Sequence, residues 1–285
     1  MTRIKELKQH FEAMEDMKEI VTALRTLAFM ETKKLTRYLA DQGRAVDSIK
    51  AAAGDFLSFY TLPPKEERTG KTLLVAVGAD RGFCGNFNDQ VVEATKTQLQ
   101  ATGAANLKII VVGDRLRSRF EHDAQLNAVI CDTVSGATFA EEAPAVLAKV
   151  VDLVSAQLEK PATANATIKL LAHQWGREDV LLIDPLADLK ENKTPYGSPP
   201  KLNLSPIRFF RLLLDQYLQL VFYSVFYSSL MAENNKRIMH LDTALRRLED
   251  DADNLKRKYN QARQEEITEE IEILIMNCRK YVGMI

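Results

Sequence analysis

Glycine and proline are absent from both ends of the chain. Neither occurs between Met1 and Gln42, and neither occurs between Ile207 and Val282. Stretches this long without a backbone punctuator exclude a series of short elements and predict two long helices. A helix over the second stretch would extend roughly 114 Å at about 1.5 Å per residue, several times the width of a small domain. Cysteine is scarce as well. Cys84, Cys131 and Cys278 are far apart and odd in number, which excludes a closed disulfide framework or a four-ligand zinc cluster and suits a reducing compartment. His10, His122, His173 and His240 share no ligand spacing such as HExxH, so surface or packing roles are expected of all four.

Charge of one sign is also missing. In 285 residues, 38 Lys plus Arg oppose 39 Asp plus Glu, a formal net charge of -1. Sequence-independent nucleic-acid binding would need a basic field that this balance does not supply, so no nucleic-acid partner is expected. The longest uncharged run, Gln216 to Ala232, is diluted by Ser and Gln. A membrane helix needs about 20 predominantly apolar residues, so the run reads as a buried helix. The first residues, MTRIKELKQHFEAMEDMKEI, alternate charged and apolar side chains from the start, and no targeting signal is expected there.

What is present is periodic. Ile238, Leu241, Leu245, Leu248, Ala252, Leu255, Tyr259 and Ala262 recur at alternating steps of three and four, the heptad pattern of a helix seam. The next position, Glu266, is charged. An apolar stripe resumes one residue late at Ile267 and runs through Ile271, Leu274, Cys278, Tyr281 and Ile285, so a different face is presented beyond Ala262. The N-terminal stretch carries a looser stripe: Ile4, Leu7, Phe11, Met14, Met17, Val21, Leu24, Leu27, then Leu35, Tyr38, Val46, Ile49, Ala53, Phe56 and Tyr60. Pro63 and Pro64 are expected to end it. Antiparallel pairing of the two terminal helices is the economical arrangement, because so narrow a seam does not stand alone in water.

Between the helices the period changes. Leu73–Val77, Leu107–Val112, Leu126–Cys131, Ala166–Leu171 and Val180–Ile183 are short runs rich in aliphatic residues, suited to a sheet covered on both faces. Helical patterns over Asn88–Gln100, Asp114–His122 and Thr138–Glu159 alternate with them and predict a doubly wound α/β layer with a mainly parallel sheet. Ala187–Pro206, with Pro195, Gly197, Pro199 and Pro200, is expected as a loop that leads into the last helix, with Pro206 in its first turn. The fold class is therefore α/β plus coiled coil: a long antiparallel two-helix coiled coil with an inserted Rossmann-like α/β domain. The divisions are residues 1–62, 63–205 and 206–285.

Chemistry is hard to find. The strand-to-helix turn GADRGFCGNFN, Gly78 to Asn88, bears glycines at 78, 82 and 85. They match neither the dinucleotide fingerprint nor GxxxxGK[ST], and a structural turn is the better reading. Cys84 beside Arg81 would have a lowered pKa, but no histidine base accompanies it. Asp80, Asp184 and Asp188 lie near strand ends, where open α/β sheets place ligands, yet isolated carboxylates specify no reaction. No catalytic residue, cofactor or metal is assigned.

Three segments carry a resemblance to a known family. DRGFCGNFN, Asp80 to Asn88, is similar to the DRGLCGGLN turn of F-type ATP synthase gamma subunits, with Asp80, Arg81, Gly82, Cys84 and Gly85 in common. Ala232, Glu233, Arg237, Met239 and HLDTA, His240 to Ala244, resemble the family's ASExxxRMxAMxxAT stretch. YNQARQEEITEEIEIL, Tyr259 to Leu274, resembles its YNxARQxxITxEIxEI signature. The resemblance implies a central rotor stalk without an active site of its own, turned by ion flow through a membrane ring. Its partners would be the hexameric ring of alpha and beta subunits, the epsilon subunit and the membrane c-ring. Arg263, Gln264, Thr268 and Glu270 would meet a beta subunit, with Arg237, Asn260 and Arg25 as weaker contacts. Location at the cytoplasmic face of the bacterial inner membrane, peripheral and held there through the complex, is implied too.

Two departures stand out. The family's ITKAM reads IVTAL, Ile20 to Leu24, and its YxYEP reads LNLSP, Leu202 to Pro206, so altered foot contacts and a divergent or second ATPase set are expected. Two other classes stay open: a nucleotide enzyme with helical arms, and a non-rotary coiled-coil scaffold with an α/β domain. Copurification of alpha and beta ATPase subunits separates the rotor from both.

Overall fold

The computed structural model describes residues 2–60, 70–160, 163, 166–187, 189 and 198–282. Pro63, Pro64, Asp188, Pro195, Gly197 and Ile285 lie outside the described residues, as do the side chains of Cys278 and Tyr281. Two long helices bracket a central mixed sheet: α1, Thr2–Phe59, and α6, Pro206–Val282. No helix among the described residues is long and apolar enough to cross a membrane.

The sheet has order β3-β2-β1-β4-β5, with β1 Thr72–Val77, β2 Leu107–Val112, β3 Ile130–Val134, β4 Thr167–His173 and β5 Val180–Ile183. The first four pair in parallel, while β5 runs antiparallel to β4. Alternation along β1 sorts side chains between two faces. Leu74 and Ala76 join Val91 and Leu99 of α2 (Phe87–Thr102) and Leu116 and Phe120 of α3 (Asp114–Glu121). Leu73, Val75 and Val77 face Val146, Val150 and Val154 of α5 (Ala143–Leu158) and Tyr217, Val221, Phe222 and Val225 of α6. A sheet covered on both faces explains the near-continuous apolar strands.

One strand is displaced from the sequence expectation. Leu126–Cys131 does not form the third strand, which begins only at Ile130. Asp123 is the physical reason: its Oδ1 accepts the amides of Gln125 at 3.1 Å and Leu126 at 3.3 Å, capping a one-turn helix, α4, Ala124–Asn127. That turn drops Leu126 into the core beside α3. The helix expected over Thr138–Glu159 is also split, because a short 3-10 turn at Ala140–Glu142 precedes α5. Glu31 of α1 reaches this junction. Its Oε2 accepts the Ala140 amide at 3.1 Å while Lys34 bridges Glu31 and Glu141, and the hydrogen bonds that Lys34 donates to both carboxylates raise its pKa. An α1 carboxylate thereby satisfies a donor that the junction leaves open.

The chain divides into two compact units, one made of Met1–Leu27 with Met239–Ile285, the other of Ala28–Ile238. In the first, Lys18 pairs with Glu249 and Arg25 with Asp242. Seven residues forward on α1 are seven back on α6, so the helices run antiparallel there. In the second, Tyr38 stacks on Tyr227 and Phe56 packs against Phe209, and eighteen residues forward are again eighteen back.

The inward positions of α1 correct the looser stripe. Met17 and Leu27 are 48% and 53% exposed. Besides flanking residues such as Leu24, half-buried, and Glu31, buried, one row of positions is withheld from solvent: Ile4, Leu7, Phe11, Met14, Lys18, Val21, Arg25, Ala28, Thr32, Leu35, Leu39, Gln42, Val46, Ile49, Ala53 and Phe56, each buried or half-buried. Their steps alternate strictly between three and four. Polar residues at four of these places hide the period from a search for apolar residues alone. On α6 the seam from Ile238 to Ala262 is likewise buried or half-buried, and Gln216–Ala232 lies largely inside, as its composition predicts.

Leu35 is fully buried against Tyr227, Leu230 and Met231. Leu35→Ala is therefore expected to lower stability by about 3 kcal/mol, the usual cost of such a cavity. Leu27→Ala, at an exposed site, should change it by less than about 0.5 kcal/mol. Urea titration of both variants checks the contrast.

Candidate functional site: the β1 turn and the α6 faces

In an open α/β sheet the ligand crevice lies beyond the carboxyl ends of the strands where the order reverses. Here that place is the end of β1 beside β4, and the chain's own side chains fill it. Phe87, at the start of α2, stacks on His173, at the end of β4, with ring centroids 3.9 Å apart, and the His173 Nε2 lies 3.0 Å from the Phe87 carbonyl oxygen. Ala79, Cys84 and Phe87 close against Ala232 of α6. The Trp175 amide donates to Ser228 Oγ at 2.7 Å.

The glycines of the turn serve packing. A Cβ on Gly78 would stand 2.6 Å from the Leu116 Cβ and 2.7 Å from the Asn88 Oδ1, so only glycine lets α3 and Asn88 approach. Asn88 Oδ1 in turn accepts the Ala79 amide at 2.8 Å. Asp80 ties three loops together, since its Oδ1 accepts the amides of Asp114 at 3.1 Å and Gly136 at 2.8 Å. Amides that would face a phosphate in a nucleotide-binding sheet are engaged by Asp80 and Asn88 instead. Among the described residues, no group of three or more His, Cys, Asp or Glu side chains is arranged to hold a metal ion.

The thiol expectation is reversed. Cys84 is buried, and burial pushes its pKa up to about 11, while Arg81, the neighbour expected to lower it, is exposed with its guanidinium over the Phe139 ring. The Cys84 Sγ donates to the Arg81 carbonyl at 3.5 Å. It is a packing residue. Gly85 takes a positive φ, and so does Phe83, at 65°.

Glu233 and Arg237, expected only as part of the family stretch and Arg237 as a weaker partner contact, are instead the charged pair that seats α6 on this turn. Glu233 and Arg237 are both buried. One terminal nitrogen of Arg237 donates to Glu233 Oε1, the other donates to Asn234 Oδ1 at 2.9 Å, and its Nε donates to the Gly82 carbonyl at 3.3 Å. Lys236 donates to Asn86 and Gln90. Burial pushes the Glu233 carboxyl up to about 7, against the pull of Arg237. The available signal was a Glu and an Arg four apart directly after an uncharged helical run.

The other candidates fall elsewhere. Arg263, Gln264, Thr268, Glu270 and Asn260 are exposed on α6 in the first unit, and Thr268 Oγ1 donates to the Gln264 carbonyl at 2.9 Å. Arg263, Ile267, Glu270 and Leu274 share one helix face by their spacing. Ile267, Ile271 and Leu274 are 47%, 49% and 64% exposed, so among the described residues the stripe that resumes after Ala262 is left largely open. Arg25 pairs with Asp242 at 3.0 Å in the same unit. Arg237 belongs to the other unit and makes its bonds inward.

A family model described as ATP synthase matches residues 3–275. The chain belongs to the ATP synthase family. It is 22% identical to an ATP synthase gamma chain of Sulfurovum sp. (strain NBC37-1), covering 95% of this chain and 96% of that one. It is 25% identical to an ATP synthase gamma chain of Pelotomaculum thermopropionicum, covering 96% and 98%. This ATP synthase family member also matches a chain of the Euglena gracilis mitochondrial ATP synthase rotor with a TM-score of 0.62 at 13% identity, covering 93% of this chain and 99% of that one. At that identity the likeness speaks for the fold.

His173 generates a pH expectation. Its pKa is pushed down to about 4, chiefly by burial, so the folded state prefers the neutral ring. Stability from this group is present above the unfolded value near 6.5 and is lost as pH falls toward 4, by up to about 3 kcal/mol. In urea titrations, the stability of the native chain minus that of His173→Gln should fall by this order between about pH 6.5 and pH 4. A constant difference would contradict the assignment.

Proposed function

We propose that this chain is the central-stalk gamma subunit of an F-type rotary ATP synthase. Its partners are the alpha and beta subunits of the catalytic ring, the epsilon subunit and the membrane c-ring. The observation that carries this reading is the extent of the family match, which runs through both terminal helices and the sheet between them. In this role α1 and α6 wind as an antiparallel coiled coil, supported by the strict heptad positions of α1 and the reciprocal pairs Lys18–Glu249 and Arg25–Asp242. The sheet is a Rossmann-like inserted domain, and residues 1–62, 63–205 and 206–285 are the working divisions. The subunit is non-catalytic, peripheral and held at the cytoplasmic face of a bacterial inner membrane through the complex.

Mechanically, an axle shifts a catalytic subunit between states only if it contacts those states differently. An axle with identical faces would bias nothing. The C-terminal part of α6 has unlike faces: Ala262 is buried while Ile267, Ile271 and Leu274 are exposed beside Arg263, Gln264, Thr268 and Glu270. Turned inside a ring, such a surface offers each beta subunit the mixed face of Arg263, Ile267, Glu270 and Leu274 and then the side that carries Ala262. Arg263 and Gln264 form the main polar contact, with Thr268 and Glu270 beside them and Asn260 and Arg25 contributing less.

Arg263→Ala combined with Gln264→Ala removes exposed side chains and should leave the fold intact. Loss of about 1 kcal/mol of contact would reduce coupled ATP synthesis by the reconstituted complex roughly fivefold. Unchanged synthesis would count against these contacts, and failure of alpha and beta subunits to copurify with the native chain would count against the rotor itself.

A further inference from the structure

The buried charges over the β1 turn have no part in the contacts proposed above. Glu233 is 4% exposed, and its carboxylate holds one terminal nitrogen of Arg237. Asn234 holds the other, leaving Nε aimed at the Gly82 carbonyl. Three acceptors thus fix one guanidinium, and the third of them belongs to the turn. Around Glu233 the other charged and titratable groups are Asp80, Arg81 and the Cys84 thiol, all on the turn, with Lys236 beside Cys84. Next to Gly82 comes Phe83, a non-glycine residue at φ 65° that is 55% exposed. Such a backbone persists only where its surroundings hold it, and here it lies between an anchored Gly82 and a buried Cys84.

We propose that Glu233 and Arg237 form a proton-operated latch that positions Gly82 and so presents Phe83 to the surface. When Glu233 is ionised, the ion pair sets the guanidinium plane and Nε grips the Gly82 carbonyl. Uptake of one proton by the Glu233 carboxyl cancels the counter-charge and leaves a buried guanidinium uncompensated, a costly state. The guanidinium then swings toward Asp80, the neighbouring carboxylate, and releases Gly82. Burial of Glu233 places this event in the neutral range. The latch closes as pH rises and opens as it falls, whether or not the chain turns inside a ring.

Nuclear magnetic resonance on the full chain tests it. Between about pH 5.5 and pH 8.5 the amide resonances of Gly82 and Phe83 should move in one step centred near neutrality. On the acid side, exchange of the Phe87 amide, which donates to the Cys84 carbonyl at 3.3 Å, should speed up about tenfold beyond its intrinsic rate as the turn loosens. Glu233→Gln should abolish the step. Arg237→Lys should leave the Glu233 carboxyl titrating in its own carbon resonance while Gly82 and Phe83 no longer follow. Flat Gly82 and Phe83 resonances in the native chain overturn the proposal without need of any variant. Persistence of their step in Glu233→Gln or Arg237→Lys overturns it too.

Discussion

The fold of the larger unit depends on burying the middle of α6 from all sides. Between Val221 and Asn234 nearly every residue is withheld from solvent. One face covers the sheet through Val221, Phe222 and Val225, while another meets Leu35 through Tyr227, Leu230 and Met231. A helix apolar all round is stable in water only inside something. Fully burying each large side chain contributes about 2 kcal/mol before conformational entropy is counted, so this segment fixes where the sheet, α5 and the second half of α1 must stand. Tyr217 adds a directional tie, donating to the Pro185 carbonyl at 2.7 Å.

That seat also decides what the α/β layer does not do. The place where such sheets take up phosphates is occupied by Phe87, His173 and Ala232, and the nearby amides are bonded to Asp80 and Asn88. The layer serves as a mount for helix α6, and buried charge enters where that helix meets the turn and where Glu31 meets the junction before α5. A buried ion pair is weak evidence of stability, because desolvation offsets most of its attraction. Its value here is geometric, since the Arg237 fork joins Glu233, Asn234 and the Gly82 carbonyl at fixed angles.

Polar residues on the inward face of α1 have a related logic. Lys18 and Arg25 take heptad positions where leucine would pack as well, yet they face Glu249 and Asp242. A charge at a seam position lowers stability and selects register. Shifting either helix by one turn would separate both pairs, so these two contacts select alignment even though each ion pair, largely exposed, contributes little energy.

Local chemistry was enough to place the start of the last helix at Pro206 and the end of the first near Phe59, four of the five strands within a residue or two, and the buried character of Gln216–Ala232. Each of these is written in local chemistry: a missing punctuator, a period, a run of aliphatic residues. The tertiary structure alone decided the rest. Strand β3 starts at Ile130 because Asp123 caps a turn before it, and a cap depends on which conformation its own amides adopt. The inward face of α1 passes through Lys18, Arg25, Thr32 and Gln42, which look like surface residues until the opposing helix is in place. Cys84 loses its acidity, and Glu233 is driven toward neutrality, because a side chain's solvent is supplied by segments far away in the chain, and no local pattern records how much water those segments exclude.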